Sequence, residues 1–88
     1  MKFEYDARKS DLNLEKHGID FEEAKRFWND DDLLELPAKK RGERRSMVIA
    51  KMDGSCWSAV ITRRDDAIRI VSVRRSTDKE MKVYEQHR

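Results

Sequence analysis

The sequence predicts an α+β domain in which helices pack against a mostly antiparallel sheet. Residues 46–52, 56–63 and 67–75 are rich in Val, Ile, Thr and Trp, as is typical of strands. Short links join these three segments, and a parallel return would need a long crossover, so we expect a three-stranded antiparallel meander. Helix-start signals occur before and after it. The predicted order is a short N-terminal strand, two helices, the three-stranded antiparallel meander and a C-terminal helix.

The first strand and the first helix are predicted at the start of the chain. Residues 2–5 alternate polar and apolar side chains, as a short edge strand does. Asp6 can cap a helix that begins at Ala7, or Ser10 can cap a shorter one. Gly18 is a typical residue for the end of this helix.

A second helix is predicted directly afterwards. Asp20 suits the N-cap, and Glu23 stands three residues later, as in a capping box. Apolar residues then recur at helical spacing, and we expect this stripe to pack on the sheet as part of the core. Its members are Phe21, Ala24, Phe27 and Trp28.

Residues 29–45 combine an acidic run, a short apolar patch, the one proline and a basic run. These features predict a loop with a brief extended piece from Leu33 to Leu36. Farther along, Asp53-Gly54 is a strong signal for a hairpin between the first two strands of the meander.

The composition bounds the class of protein. The chain has 88 residues, of which 38% are hydrophobic and 43% charged. A domain of this size has a thin core, which binding to a partner would help to stabilise. The single Cys56 cannot form an internal disulfide, no apolar run approaches the roughly 18 residues of a membrane span, and no signal-peptide pattern is present. We expect one cytoplasmic domain, residues 1–88, without a membrane segment.

Charge is unevenly distributed along the chain. Residues 1–38 contain 6 Lys and Arg against 11 Asp and Glu, whereas residues 39–88 contain 14 against 7. The two parts therefore carry net charges of −5 and +7. A basic half is a candidate surface for a polyanion, most often a nucleic acid, although solvation of a small domain by mixed charges explains it equally well.

Four polar residues of the first helix share one face. Lys9, Asn13, Lys16 and His17 are spaced at i, i+4, i+7 and i+8. Cations, an amide and an imidazole in this arrangement suit phosphate binding and proton transfer near neutral pH. Alternatively, Lys16 and His17 stabilise the helix C-terminus through its dipole.

A basic run, residues 39–41, leads into Glu43, Arg44 and Arg45, where the predicted loop meets the first strand of the meander. A solvated loop would explain the run. In the functional interpretation, the strand holds Arg44 or Arg45 toward a phosphate and the other cations attract the polyanion.

Arg74 and Arg75 stand where the last strand meets the last helix. Strand alternation places them on opposite faces. Thr77 and Glu80 form a capping box for a helix of about ten residues that includes Tyr84, so both arginines precede a helix N-terminus, which favours anions. The guanidinium group suits bidentate binding of phosphate. Alternatively, one arginine pairs with Glu80 or another acid, Glu80 serves only as a cap, and Tyr84 is a core residue.

The sequence contains no recognisable metal-ligand set. His17 and His87 are far apart, and Cys56 has no nearby cysteine. A glycine-rich phosphate loop is absent as well. If the protein is an enzyme on nucleic acid, we expect metal-free chemistry without a cofactor. Attack of the RNA 2′-OH on the adjacent phosphate needs only an acid, a base and cations.

Nearly the whole chain resembles the BrnT family of type II toxin–antitoxin modules. The matching pieces are "FEYD" (3–6), the pattern from Lys9 through Ala24 that ends in "KHGIDFEEA", "GERR" (42–45), "AVITRR" (59–64) and "IRIVSVRRSTDKEMKVYE" (68–85). The sequence departs from the family at Tyr5, Ala50 and the "ST" after Arg75, where Trp, Gly and Ala are usual. None of these departures removes a candidate cation.

The resemblance implies a RelE-like fold and a toxin that cleaves RNA and so blocks translation. It also implies a BrnA-like antitoxin, a complex of two toxins with two antitoxins, and operator DNA bound through the antitoxin's ribbon-helix-helix part. The family positions in this sequence are Lys9, Asn13, Lys16, His17, Glu43, Arg44, Arg69, Ser72, Arg74, Arg75, Glu80 and Tyr84.

The leading hypothesis is an endoribonuclease in which Arg44, Arg74 and Arg75 bind the scissile phosphate. The candidate catalytic residues are Lys16, His17, Glu43, Arg44, Arg74, Arg75, Glu80 and Tyr84, with Lys16, His17 or Glu43 handling protons. The candidate residues for RNA phosphate binding are Lys9, Asn13, Arg45 and Arg69. The alternatives are a non-catalytic module that binds RNA or a partner, and an obligate partner subunit.

Overall fold

The computed structural model describes residues 1–40 and 43–88, and the side chains of all of these except residues 39, 40 and 43. Its elements are β1 (Lys2–Glu4), α1 (Ala7–His17), α2 (Phe21–Ala24), a 3-10 segment (Lys25–Asn29), β2 (Leu34–Lys40), β3 (Glu43–Met52), β4 (Ser55–Arg64), β5 (Ala67–Arg75) and α3 (Asp78–His87). The α+β class is confirmed.

The strands form one mixed sheet of five strands in the order β1-β5-β4-β3-β2. The predicted meander is present as β3, β4 and β5, and β2 also pairs antiparallel with β3. β1 is an edge strand, as expected, and pairs parallel with β5. The two helices between β1 and the rest of the sheet supply the long connection that a parallel pair requires.

The extended piece predicted from Leu33 to Leu36 matches the start of a strand, but the loop predicted around it is wrong at residues 37–40 and 43–45. Leu34–Lys40 forms β2, and β3 begins at Glu43, before the predicted start at residue 46. Leu34 and Leu36 lie opposite Ile49 and Met47, so the apolar patch becomes buried only when its distant partner strand is present. Pro37 is tolerated because β2 is an edge strand and needs no ladder bond on its outer side.

The predicted helix N-caps and the glycine at the end of the first helix are confirmed. Asp6 accepts hydrogen bonds from the backbone of α1, and Gly18 ends that helix in the left-handed region at φ 76°. Asp20 caps α2, and Thr77 with Glu80 forms the capping box of α3. Ser10, the alternative cap, is instead buried and accepts a hydrogen bond from the backbone N–H of the first α2 residue at 2.9 Å.

The core has one part on each face of the sheet. On one face, Phe21, Ala24 and Phe27 pack against residues of β3, β4 and β5, so the predicted apolar stripe is confirmed as core. The second helix is shorter than its pattern, however, because it gives way to the 3-10 segment after Ala24. On the other face, which we call the α3 face, Tyr84 of α3 packs with residues of β2, β3 and β4.

β5 contains a bulge that changes which side chains share a face. The pairing with β4 skips Val71, while its neighbours Ile70 and Ser72 face consecutive residues of β4. Strict alternation had placed Ile70 and Val73 on opposite faces, but both lie in the main core cluster. The extra residue reverses the alternation, so Ile68, Ile70 and Val73 share one face.

Candidate functional site

Paired residues of β2 to β5 form three successive rungs across the α3 face. The first is Leu34, Ile49, Ser58 and Arg74, the second is Leu36, Met47, Val60 and Ser72, and the third is Ala38, Arg45, Thr62 and Arg69. α3 packs over the apolar residues of the first rung through Tyr84. The character of the face therefore changes from apolar beneath α3 to basic at the third rung.

The third rung borders an open cavity of about 430 Å³, which we call the basic cavity. It is lined by Thr62, Val71 and six cationic residues: Lys9, Arg44, Arg45, Arg63, Arg64 and Arg69. Three strands and one helix contribute to it. Positive charge concentrated in a concave surface favours the approach of a polyanion, and guanidinium groups have the geometry for bidentate contacts with phosphate.

Acidic residues compensate this charge only in part. Glu4 lies 3.7 Å from both Arg64 and Arg69, and Glu35 accepts a 2.6 Å hydrogen bond from Arg63. In the part of the chain that the structure describes, neither Lys9 nor Arg44 has an ion-pair partner. Donors are therefore available for an anion that enters the cavity.

A second depression of about 250 Å³, which we call the α1 groove, adjoins the basic cavity. The two share Lys9 and Val71. The other residues that line the groove are Leu12, Asn13, Lys16, His17, Phe21 and Ser72. The structure thus brings together the polar face that was predicted on the first helix and places it beside the basic cavity.

Asn13, a predicted phosphate ligand, is buried and bonded within the protein. Its amide N–H donates to the carbonyl of Ile19 at 2.8 Å, and its amide oxygen accepts from the backbone N–H of Val73 at 3.2 Å. β1 pairs only with the first part of β5, so Val73 lies where that edge of β5 has no neighbouring strand among the described residues. Asn13 fastens α1 to this open edge.

Arg74 is paired with Glu80, although 40% of its side chain is exposed. Its two terminal nitrogens donate to the two carboxylate oxygens at 2.8 and 2.9 Å, as in a bidentate pair. Glu80 also accepts from the Ser58 hydroxyl at 2.8 Å and from the Thr77 backbone at 2.9 Å. The hydrogen bond from Arg74, followed by those from Thr77 and Ser58, outweighs desolvation and lowers the pKa of Glu80 to about 2.

Tyr84 is a buried residue on the side of α3 that faces the sheet, and it lines neither depression. Its hydroxyl donates to Asp30 at 2.6 Å, and Asp30 also accepts from the Lys51 backbone N–H at 2.8 Å. Burial and the bond to this carboxylate raise the pKa of Tyr84 above its usual value. The contact anchors α3 to the segment before β2, which is the arrangement expected of a core tyrosine.

Arg74 and Arg75 do lie on opposite faces, as alternation predicted. Arg75 lies opposite Trp57 in the sheet, and its guanidinium stacks 5.1 Å from the centre of that ring. It lines neither depression. The side chain of Glu43 lies outside the described residues.

Sequence reasoning missed Thr62, Arg63 and Arg64, which line the basic cavity from β4. A signal for them was present in the predicted Asp53-Gly54 turn. A two-residue turn fixes the register of β3 on β4, which places Arg45 opposite Thr62. The approach of β5 and α1 could not be derived in this way, because the bulge at Val71 shifts the next register.

No group of three or more potential metal ligands occurs among the residues that the structure describes. No helix in that part of the chain has the length and apolar character of a membrane span.

Comparison with known proteins identifies the family. Residues 5–80 match the family model described as "Ribonuclease toxin, BrnT, of type II toxin-antitoxin system". A search of curated proteins found no match. The match covers most of the chain, including α1, the whole meander and the start of α3, and the resemblance drawn from the sequence is confirmed. The chain belongs to the BrnT family of ribonuclease toxins, whose type II systems pair each toxin with an antitoxin protein.

Proposed function

We propose that this protein is a metal-independent endoribonuclease of RelE-like fold, a single domain that acts in the cytoplasm, inhibits translation and binds its substrate in the basic cavity. The observation that carries the proposal is the collection of six cationic residues around one open cavity at the end of the α3 face. Family membership supports RNA as the polyanion.

The reaction we propose is attack by the RNA 2′-OH on the adjacent phosphorus. A base removes the 2′-OH proton, the 5′-oxygen leaves with a proton from an acid, and the products end in a 2′,3′-cyclic phosphate and a 5′-OH. Arg44, Arg45 and Arg69 stabilise the charge that develops on the phosphate oxygens. Lys16 and His17, in the adjoining α1 groove, are the candidates for proton transfer.

This assignment differs from the sequence hypothesis in the arginines that contact phosphate. Arg74 is committed to Glu80, and Arg75 stacks on Trp57. We therefore propose that Arg69 takes the role first given to Arg74, and that Arg74, Glu80 and Tyr84 hold α3 in place. Asn13 positions α1.

We also propose that a BrnA-like antitoxin neutralises the toxin in a complex of two toxins and two antitoxins, which binds operator DNA through the antitoxin. Membership of a type II system supports the presence of a protein partner. Translation inhibition would follow from cleavage of RNA.

The test uses purified toxin, free of antitoxin, with a short RNA in EDTA. We expect cleavage to continue, the upstream product to end in a 2′,3′-cyclic phosphate, and a 2′-deoxy substitution at the scissile nucleotide to block it. Cleavage that stops in EDTA and returns with a divalent cation would contradict metal independence. RNA that is bound but left intact would favour the non-catalytic binding module.

A pair of arginine variants tests the cavity in the same assay. Arg69→Ala removes a cation from the basic cavity, whereas Arg88→Ala removes one that pairs with Asp32 and Glu85 at the end of α3. We expect only the first to weaken RNA binding and to reduce the dependence of affinity on salt. Equal effects of the two would indicate general charge attraction instead of a site.

A further inference from the structure

The α1 groove differs in chemistry from the basic cavity that it adjoins. Its lining includes the apolar residues Leu12 and Phe21. The Leu12 side chain is 56% exposed, so this apolar group is accessible to a ligand. Lys16 and Ser72 supply polar groups. An apolar floor with polar groups suits a nucleoside, which has a flat apolar face and hydroxyl groups, better than it suits a bare phosphate.

Val71 connects the two depressions. It lines both of them, and it is the residue that β5 inserts as a bulge. Bulges redirect side chains and are over-represented next to active sites. Here the bulge leaves a half-buried valine at the junction between a surface for phosphate and a surface with apolar character.

The position of the groove relative to the sheet is fixed by buried hydrogen bonds. Asn13 joins α1 to Val73 of β5 and to Ile19, and Ser10 joins α1 to Phe21. These contacts lie beneath the groove and hold its two walls together. The groove therefore exists before any ligand binds, which lowers the entropic cost of binding.

We infer that the α1 groove is a subsite for the nucleoside next to the phosphate held in the basic cavity. The base or ribose of that nucleoside packs on Leu12 and Val71. The inference rests on the proposed function, since it assumes that RNA phosphate occupies the basic cavity. On this inference, the toxin recognises a phosphate together with one nucleoside beside it.

The test measures binding of a short RNA that is made uncleavable by a 2′-deoxy substitution at the scissile nucleotide. Leu12→Ala is compared with Leu14→Ala, a matched control because Leu14 is also on α1, is 48% exposed and lines neither depression. We expect Leu12→Ala to weaken binding roughly three- to tenfold, the loss for part of a half-buried leucine contact, and Leu14→Ala to leave it unchanged.

A second arm replaces each nucleotide beside the scissile phosphate, in turn, by an abasic one. At one of the two positions, we expect the loss of the base to weaken binding to the wild type but to have little further effect on Leu12→Ala, because both changes remove the same contact. Additive losses at both positions would overturn the subsite, as would equal affinities of the Leu12→Ala and Leu14→Ala proteins.

Failure of the subsite and failure of the proposed function give different results. If the wild type binds and cleaves RNA while both Leu12→Ala and the abasic substitutions have no effect, only the subsite is wrong. If the wild type neither binds nor cleaves RNA, the proposed function and the subsite are both overturned.

Discussion

Each end of the α3 face carries an arginine of β5, but the two arginines have different surroundings. Arg74 and Arg69 both belong to β5 and lie in rungs of the same face. Arg74 is held by Glu80 through two bonds of 2.8 and 2.9 Å. Arg69 has Glu4 at 3.7 Å and lines an open cavity with five other cations. The first arginine is held closely by its partner within the fold, whereas the second has only a long contact with Glu4 and borders an open cavity.

The difference shows that the role of an arginine depends on what is packed beside it. α3 brings Glu80 to one end of the face, and the Ser58 hydroxyl and the Thr77 backbone complete the set of donors to that carboxylate. At the other end, no helix supplies such an acid among the described residues, and cations from three strands and α1 face the same space. At the Arg74 end, the arginine joins β5 to α3. The Arg69 end is a candidate binding surface.

The largest expected effect is on catalysis. Arg69→Ala should reduce the rate of RNA cleavage by about 100-fold or more, the usual cost of removing one preorganised group that stabilises transition-state charge. Its thermal unfolding should change little, because its contact with Glu4 is long and exposed. Cleavage kinetics and calorimetry measure the two effects, with Arg88→Ala as the control. A variant that unfolds early, or that cleaves normally, would contradict the comparison.

The second prediction concerns stability at the other end of the face. Glu80→Ala removes the partner of Arg74 and the carboxylate half of the α3 capping box, and it should lower the free energy of unfolding by about 2 kcal/mol. Denaturant unfolding measures this, with Glu85→Ala as the control because Glu85 is on the same helix and exposed. The double variant with Arg74→Ala should lose less than the two single losses combined. Additive losses would show that the pair is not coupled.

Acid stability provides a third way to examine the same pair. The pKa of Glu80 is lowered in the folded protein to about 2, chiefly by Arg74, so its stabilising contribution is complete above the unfolded-state pKa near 4.5. That contribution should be lost as the pH falls from about 5 toward 2, and it should amount to roughly 1–3 kcal/mol after allowance for solvent screening.

Glu80→Gln isolates this contribution. The variant should be less stable at pH 7 and should show a smaller further loss between pH 5 and pH 2, as measured by denaturant unfolding at each pH. Some loss will remain, because the pKa of Asp30 is lowered as well, by its bonds to Tyr84 and to the backbone at Lys51 and Asp32 in spite of its burial. Identical pH profiles for variant and wild type would show that the pair does not control acid stability.

The smallest effect is expected at Tyr84. Tyr84→Phe keeps the ring in the core and removes only the hydroxyl that donates to Asp30, so it should cost about 1 kcal/mol of unfolding free energy. RNA cleavage should remain at the wild-type rate, because Tyr84 lines neither depression. A variant that is stable but inactive would instead place the phenol in the chemistry, as the family pattern suggested.

Local sequence signals were sufficient for much of the fold. The caps Asp6, Asp20 and Thr77, and the Asp53-Gly54 turn, act within a few residues of themselves, and each is found as predicted. The sequence predicted only a brief extended piece for β2, because the burial of this strand depends on a distant partner. β2 is recognisable only when Leu34 and Leu36 meet residues of β3.

The sequence by itself determined the α+β class, the caps, the meander, the basic character of the second half and the family. Only the tertiary structure decided which cations share a cavity, because the bulge at Val71 resets the register of β5 and α1 approaches from far away in the chain. It also decided that Arg74 has an internal partner. The physical reason is that a charged side chain takes its role from the groups within a few ångströms of it, and for Arg69 and Lys9 those groups come from distant parts of the chain.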